Sequence, residues 1–131
     1  MELELWCRFV VSIRSLDRLP SRHFVYPMRI LRDFEGRAIR LTDERRQHIL
    51  EHPELSGLER SIAETLGSPQ AVVQSFSDPE ARLYYRYYFG TLVGDKFLCV
   101  VVKLTQADAF VVTAYLTDRV KKGKHIWPAE R

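Results

Sequence analysis

From residue 71 onward the apolar residues of this chain recur at every second position, through four segments joined by short turns. Segment 71–76 reads as a strand, and Ser77-Asp78-Pro79-Glu80 after it as a turn. Segments 82–89, 97–104 and 109–116 repeat the pattern, separated by a glycine-containing stretch at 90–95 and by Gln106-Ala107-Asp108. Connections this short join antiparallel neighbours, so the C-terminal half is expected to be a four-stranded antiparallel meander. A sheet with one apolar face needs a covering layer.

The residues before it supply that layer. Segments 29–34 and 37–41 read as a short strand pair around Glu35-Gly36. Thr42 and Asp43 offer N-cap chemistry to a helix expected over 43–52, which Pro53 stops. Ser56 can cap a second helix carrying Leu58, Ile62 and Leu66 on one stripe, with Gly67 and Pro69 ending it. The expected class is α+β: two N-terminal helices packed on a four-stranded antiparallel sheet meander, preceded by a short strand pair.

With 131 residues the chain makes one domain. Its apolar fraction of 46% is ordinary, and its longest apolar runs are too short and too charged to span a membrane. Two cysteines, Cys7 and Cys99, form no zinc-type pair, and Cys99 reads as a buried thiol in a reducing cytoplasm. The net charge of +3 is mild, but Arg119, Lys121, Lys122, Lys124 and His125 concentrate it near the C-terminus. Residues 1–27 differ from the rest. They carry Leu5, Trp6, Phe9, Val10, Val11 and Ile13 interrupted by Arg8, then a polar stretch, before Met28 opens the first strand pattern. The expectation is an N-terminal extension over 1–27, with translation starting at Met28 and one domain over 28–131. The alternative is an arm that packs Trp6 and Phe9 on the domain.

Several residues could carry chemistry. His48 and His52 stand four apart on the first helix, at its end. They suit a solvated helix C-terminus, a shared metal in an H-x-x-E-H pattern, or general acid–base work on a phosphodiester. Pro53 truncates the helix where the metal motif should continue. On segment 82–89, Arg82, Tyr84, Arg86 and Tyr88 share one side of the strand. Arginine forks hold phosphate and tyrosines stack on bases, although the same row would also serve as a solvated cation–π surface. Thr113 and Tyr115 share a side of the last long strand, and the lysines at 121, 122 and 124 follow it.

These pieces come in a definite order: strand pair, a helix ending His-x-x-x-His-Pro-Glu, a second helix, Ser-Pro, then four strands. They carry Leu-Tyr-Tyr-Arg at 83–86, Cys-Val-Val-Val-Lys at 99–103, Val-Thr-Ala-Tyr at 112–115 and Lys-Lys-Gly-Lys at 121–124. In that order and spacing residues 29–127 resemble the phage-type branch of the barnase/EndoU/colicin/RelE-like nuclease superfamily. The resemblance implies helices followed by a four-stranded antiparallel sheet, and a metal-independent ribonuclease of toxin–antitoxin or phage conflict systems, with no cofactor. It implies His48, His52, Arg86, Thr113 and Tyr115 as catalytic candidates.

The expected reaction is attack of a ribose 2′-hydroxyl on the adjacent phosphorus, leaving a 2′,3′-cyclic phosphate and a 5′-hydroxyl. A histidine, His52 in the first instance, takes the proton. Arg86 with Lys121 or Lys124 holds the phosphate oxygens, and Thr113 donates a hydrogen bond. The other histidine or Tyr115 protonates the leaving oxygen. Arg82, Tyr84, Tyr88 and Lys122 complete the expected RNA-binding set. RNA is the expected partner, and a small acidic antitoxin or immunity protein the expected inhibitor. The strand edges at 71–76 or 29–34 offer a route to a homodimer. The alternative is a non-catalytic module of the same fold that binds RNA or protein, with the histidines incidental.

Overall fold

The structure is a computed structural model and describes residues 28–128. The expectations for residues 1–27, including the packing of Trp6 and Phe9, lie outside the described residues. In chain order the elements are β1 (Met28–Arg32), β2 (Ala38–Thr42), α1 (Asp43–Leu50), a short 3-10 helix (Pro53–Leu55) and α2 (Glu59–Gly67). Then follow β3 (Ala71–Gln74), β4 (Ala81–Thr91), β5 (Gly94–Leu104), β6 (Ala109–Thr117) and β7 (Lys124–Trp127).

A four-stranded antiparallel sheet with two N-terminal helices and a separate strand pair is not what forms. The strands make one mixed, seven-stranded sheet in the order β1-β2-β6-β5-β4-β3-β7. Two isolated strands cannot bury their apolar sides, so the β1–β2 hairpin joins the meander. It does so through a single parallel bridge between Arg40 and Phe110. Arg40 reinforces that joint with a two-pronged contact to Asp108, at 3.3 and 2.6 Å, and with its guanidinium 5.4 Å from the Phe110 ring centre. At the other end β3 would present an open edge, and β7 closes it, with Val72 opposite Trp127 and Gln74 opposite Lys124. The basic segment therefore ends in a strand.

Thr42 caps α1 by accepting from the Arg45 backbone N–H at 3.2 Å, and Asp43 and Glu44 fill its first turn. The helix buries only Arg45 and Ile49 and ends at Leu50, two residues before His52. Packing against the sheet therefore holds it more than any apolar stripe of its own. Helix α2 buries Ile62, Thr65 and Leu66. Both helices cover one face of the sheet, where Ile39, Leu41, Tyr84, Leu98, Val100 and Val102 form the first core cluster.

The turn of the β1–β2 hairpin bends over this same face. Phe34 stands 5.4 Å from Trp127 of β7 and 6.2 Å from Tyr84, ring centre to ring centre. Gly36, with φ of 83°, permits the turn.

The opposite face carries a second cluster, with Val73, Leu83, Tyr85, Cys99, Val101 and Val112 among its members. Because β6 and β7 lie four positions apart in the sheet, the residues between them cross this face. The Lys121 backbone N–H donates to the Tyr85 hydroxyl at 3.1 Å, and Val120 packs on the cluster. Gly123 passes so close to β3 that a Cβ there would stand 2.5 Å from the Gln74 carbonyl oxygen and 3.3 Å from the Val73 Cβ. Backbone atoms cannot yield as a flexible side chain can. Gly123→Ala should therefore lower stability by about 1–3 kcal/mol, read from the urea midpoint at constant slope.

Candidate functional site

The sheet separates the expected site residues into two groups. Even-numbered residues of β4 face the helices. There Arg82 binds Glu35 at 3.0 Å, and the buried Tyr84 hydroxyl donates to Asp33 at 2.8 Å, both in the β1–β2 turn. Arg86 donates to the Ser68 carbonyl at 2.7 Å and stands 3.4 Å from Glu64. The Tyr88 hydroxyl meets Glu64 at 2.6 Å and the Ser61 carbonyl at 3.2 Å. The arginine–tyrosine row thus ties the sheet to the layer that covers it. Burial first, then the hydrogen bond to Asp33, holds the Tyr84 phenol well above its ordinary range.

His48 and His52 lie on the same side of the sheet but on the outer surface of the helix layer, 46% and 56% exposed. His48 Nδ1 is 3.9 Å from Glu51, and His52 Nδ1 is 3.5 Å from Glu54. Among the described residues no three His, Cys, Asp or Glu side chains are grouped to hold a metal ion.

Thr113 and Tyr115 occupy the other face, paired in register with Val101 and Cys99. Thr113 is only 7% exposed. The Tyr85 hydroxyl organises this region: it accepts from Lys121 and is hydrogen-bonded to the side chains of Tyr115 and Cys99. Burial pushes the Tyr85 phenol far up. Beside this group lies a cavity of about 230 Å³ lined by Val73, Phe76, Leu83 and Tyr115, with Ser75, Ser77, Lys121 and Lys122 completing it. It offers apolar walls, hydroxyls and two cationic side chains, a combination that suits a ligand with a flat apolar part and a negative charge. Lys124 stands apart, exposed on β7.

The structure therefore brings Tyr115, Lys121 and Lys122 together, with Thr113 buried two residues away along β6. It does not bring them to Arg86 or to the histidines. Three residues given no site role by the sequence matter here. Phe76, expected as the last residue of a strand over 71–76, lies beyond the end of β3 at Gln74 and is 74% exposed beside the cavity. Asp33 and Lys103 are buried charged groups that no local pattern marks.

The raised phenols of the buried Tyr84 and Tyr85 set a pH dependence. Their folded-state pKa values lie above the unfolded value near 10, so the neutral form is the one the fold retains. That contribution is complete below pH ~10 and is lost as pH rises through the folded values, because the unfolded chain then binds fewer protons. Unfolding free energy should fall steadily above pH ~10, and Tyr84→Phe should flatten part of the slope in urea titrations.

No protein-family model, curated protein or solved structure matches this chain.

Proposed function

We propose that this domain acts on RNA as a metal-independent endoribonuclease, with its site on the sheet face that carries Tyr115, Lys121 and Lys122. The observation that supports this reading is the cavity on that face, where a tyrosine and two lysines share walls with Phe76. A base can stack on the exposed Phe76 ring, and the lysines can hold the scissile phosphate as charge develops on its oxygens. Tyr115 is the group placed to exchange a proton with the 2′-oxygen or the leaving 5′-oxygen. The 2′-hydroxyl attacks phosphorus, the 5′-oxygen leaves with a proton, and a 2′,3′-cyclic phosphate remains. DNA, which lacks the nucleophile, should be left intact. An acidic antitoxin or immunity protein would neutralise this lysine-bearing face.

A second reading has its own support. The histidines and Arg86 lie across the sheet from Tyr115, so the full catalytic set inferred from the resemblance does not converge. This favours a binding module that uses the same cavity without chemistry.

Incubation of the protein with total RNA in EDTA separates the readings. Wild type should cleave. Tyr115→Phe and Lys121→Ala/Lys122→Ala should each slow cleavage by about 10²-fold, and His48→Ala/His52→Ala should stay near wild type. RNA binding without cleavage would establish the module. Loss of cleavage in the histidine variant alone would move the site to the helix layer.

A further inference from the structure

Strands β4 and β5 outrun their neighbours. The pairing of β3 with β4 reaches Ala71–Tyr85, and that of β6 with β5 reaches Phe97–Thr117. Among the described residues, β4 and β5 then continue as a two-stranded arm whose last pair is Thr91–Gly94. The arm carries an aromatic row. The Phe97 ring centre lies 6.2 Å from that of Tyr85 and 4.9 Å from that of Tyr87, and the Tyr87 ring lies 5.1 Å from Phe89, each pair edge to face. Phe97 packs on the second core cluster, so the row stands on the same side of the sheet as the Tyr115 cavity. At its outer end Phe89 is 79% exposed. A ring left in water at the end of a packed row adds little to the fold and offers its surface to a ligand.

We infer that this row is a second base-stacking site, and that the substrate is an unpaired RNA strand long enough to reach from the cavity to Phe89. The inference rests on the RNA reading of the cavity and extends it. Residues 118–123 connect the two places. They leave β6 at Thr117, opposite Phe97, pass the Tyr85 hydroxyl at Lys121 and reach β3 at Gly123. On the way they carry Arg119 and Lys122, both exposed, and Lys121, which lines the cavity with Lys122. Phe89 stands at one end of this path and Phe76 at the other. Exposed rings with cations between them suit a single strand: the cations neutralise phosphates, and the rings stack on bases of any identity. Phe89 lies six positions along β4 from Leu83, which is in the cavity wall. At about 3.3 Å per residue the span is about 20 Å, or roughly six nucleotides at the stacked spacing of about 3.4 Å. A duplex, whose bases stack on one another, can use the cations but neither ring. Leu92 and Val93 are also exposed, but they sit in the turn beyond the row. The residues on the cavity side are aromatic and adjoin a basic path, which favours a nucleic acid over a protein partner.

Thymidylate strands of four and twelve nucleotides test the second site with the full chain. They present bases and phosphates but lack the 2′-hydroxyl, so they bind without being cut. Fluorescence anisotropy at one fixed, low salt concentration reads both affinities. Phe89→Ala should weaken binding of the twelve-mer about tenfold and of the four-mer less than twofold, whereas Lys121→Ala/Lys122→Ala should weaken both. Phe89 is exposed, so the alanine variant should keep its fold, which an unchanged urea midpoint verifies. Wild type should also bind the twelve-mer at least tenfold more tightly than the same strand annealed to its complement. Unchanged twelve-mer affinity in Phe89→Ala, with both strands still held by wild type, would overturn the second site and leave the cavity reading standing. Equal affinity for strand and duplex would overturn the unpaired substrate. Failure of wild type to bind either strand would overturn this inference together with the RNA reading. Unchanged affinity in a Phe89→Ala variant that loses a wild-type dimer in sedimentation would overturn it too, and would give the row to a second copy of the chain.

Discussion

Asp33→Ala should be the most damaging single substitution on the helix-covered side, lowering stability by about 3–5 kcal/mol. The carboxylate is fully buried. One oxygen accepts the backbone N–H groups of Glu35 and Arg37 at 3.0 and 2.8 Å. The other accepts the Arg37 guanidinium at 2.7 Å and the Tyr84 hydroxyl at 2.8 Å. Alanine removes all four acceptor contacts and leaves a buried phenol and two turn amides without a partner, so the cost is their desolvation as well as the lost bonds. Tyr84→Phe removes one donor and should cost less, about 1–3 kcal/mol. Urea unfolding of the two variants tests the order. If Asp33→Ala proved no worse than Tyr84→Phe, the carboxylate would not be the anchor of the hairpin turn.

The second large effect is expected on the other side of the sheet. Lys103 is 2% exposed, and its ammonium lies 2.5 Å from Asp78 and 3.4 Å from Glu80. Asp78 also accepts the Glu80 backbone N–H at 3.1 Å, so this pair anchors the β3–β4 turn to β5. Asp78→Ala leaves the buried ammonium with Glu80 alone, which is nearly half exposed, and should cost about 2–4 kcal/mol. Lys103→Met behaves differently. It removes the buried charge and fills the space with apolar atoms, while Asp78 keeps access to water. Its cost should be under about 1 kcal/mol, and a gain in stability is compatible with the same physics. Equal, large losses for both variants would mean that the pair acts through something other than desolvation.

The contrast between these two charged groups and the arginine–tyrosine row shows what a sequence of this kind discloses. Period-two alternation fixes which residues of β4 share a side, and Arg82, Tyr84, Arg86 and Tyr88 do share one. Alternation does not say which side the helices cover. Here the polar side is covered, because Asp33, Glu35, Glu64 and the Ser68 carbonyl arrive from distant parts of the chain to satisfy it. Helix α1 was legible from Thr42 and Pro53, since caps and breakers act locally. The seven-strand order was not, because it turns on one parallel bridge at Arg40–Phe110 and on a four-residue strand with little apolar pattern. Tyr115, Lys121 and Lys122 lie close in sequence and could be read as neighbours. That Phe76 and Ser75 join them depends on the crossing of residues 118–123 over the sheet, which no local signal announces.

That crossing also governs the order in which the molecule can be built. Strand β3 leaves the ribosome about fifty residues ahead of β7, the strand that seals its outer edge. Until residues 124–127 emerge, the nascent sheet has an unpaired edge of alanine, two valines and glutamine, able to recruit any other extended chain. Deletions that remove only β7 should therefore appear first as poor yield and aggregation during synthesis, before any change in the chemistry of the finished protein.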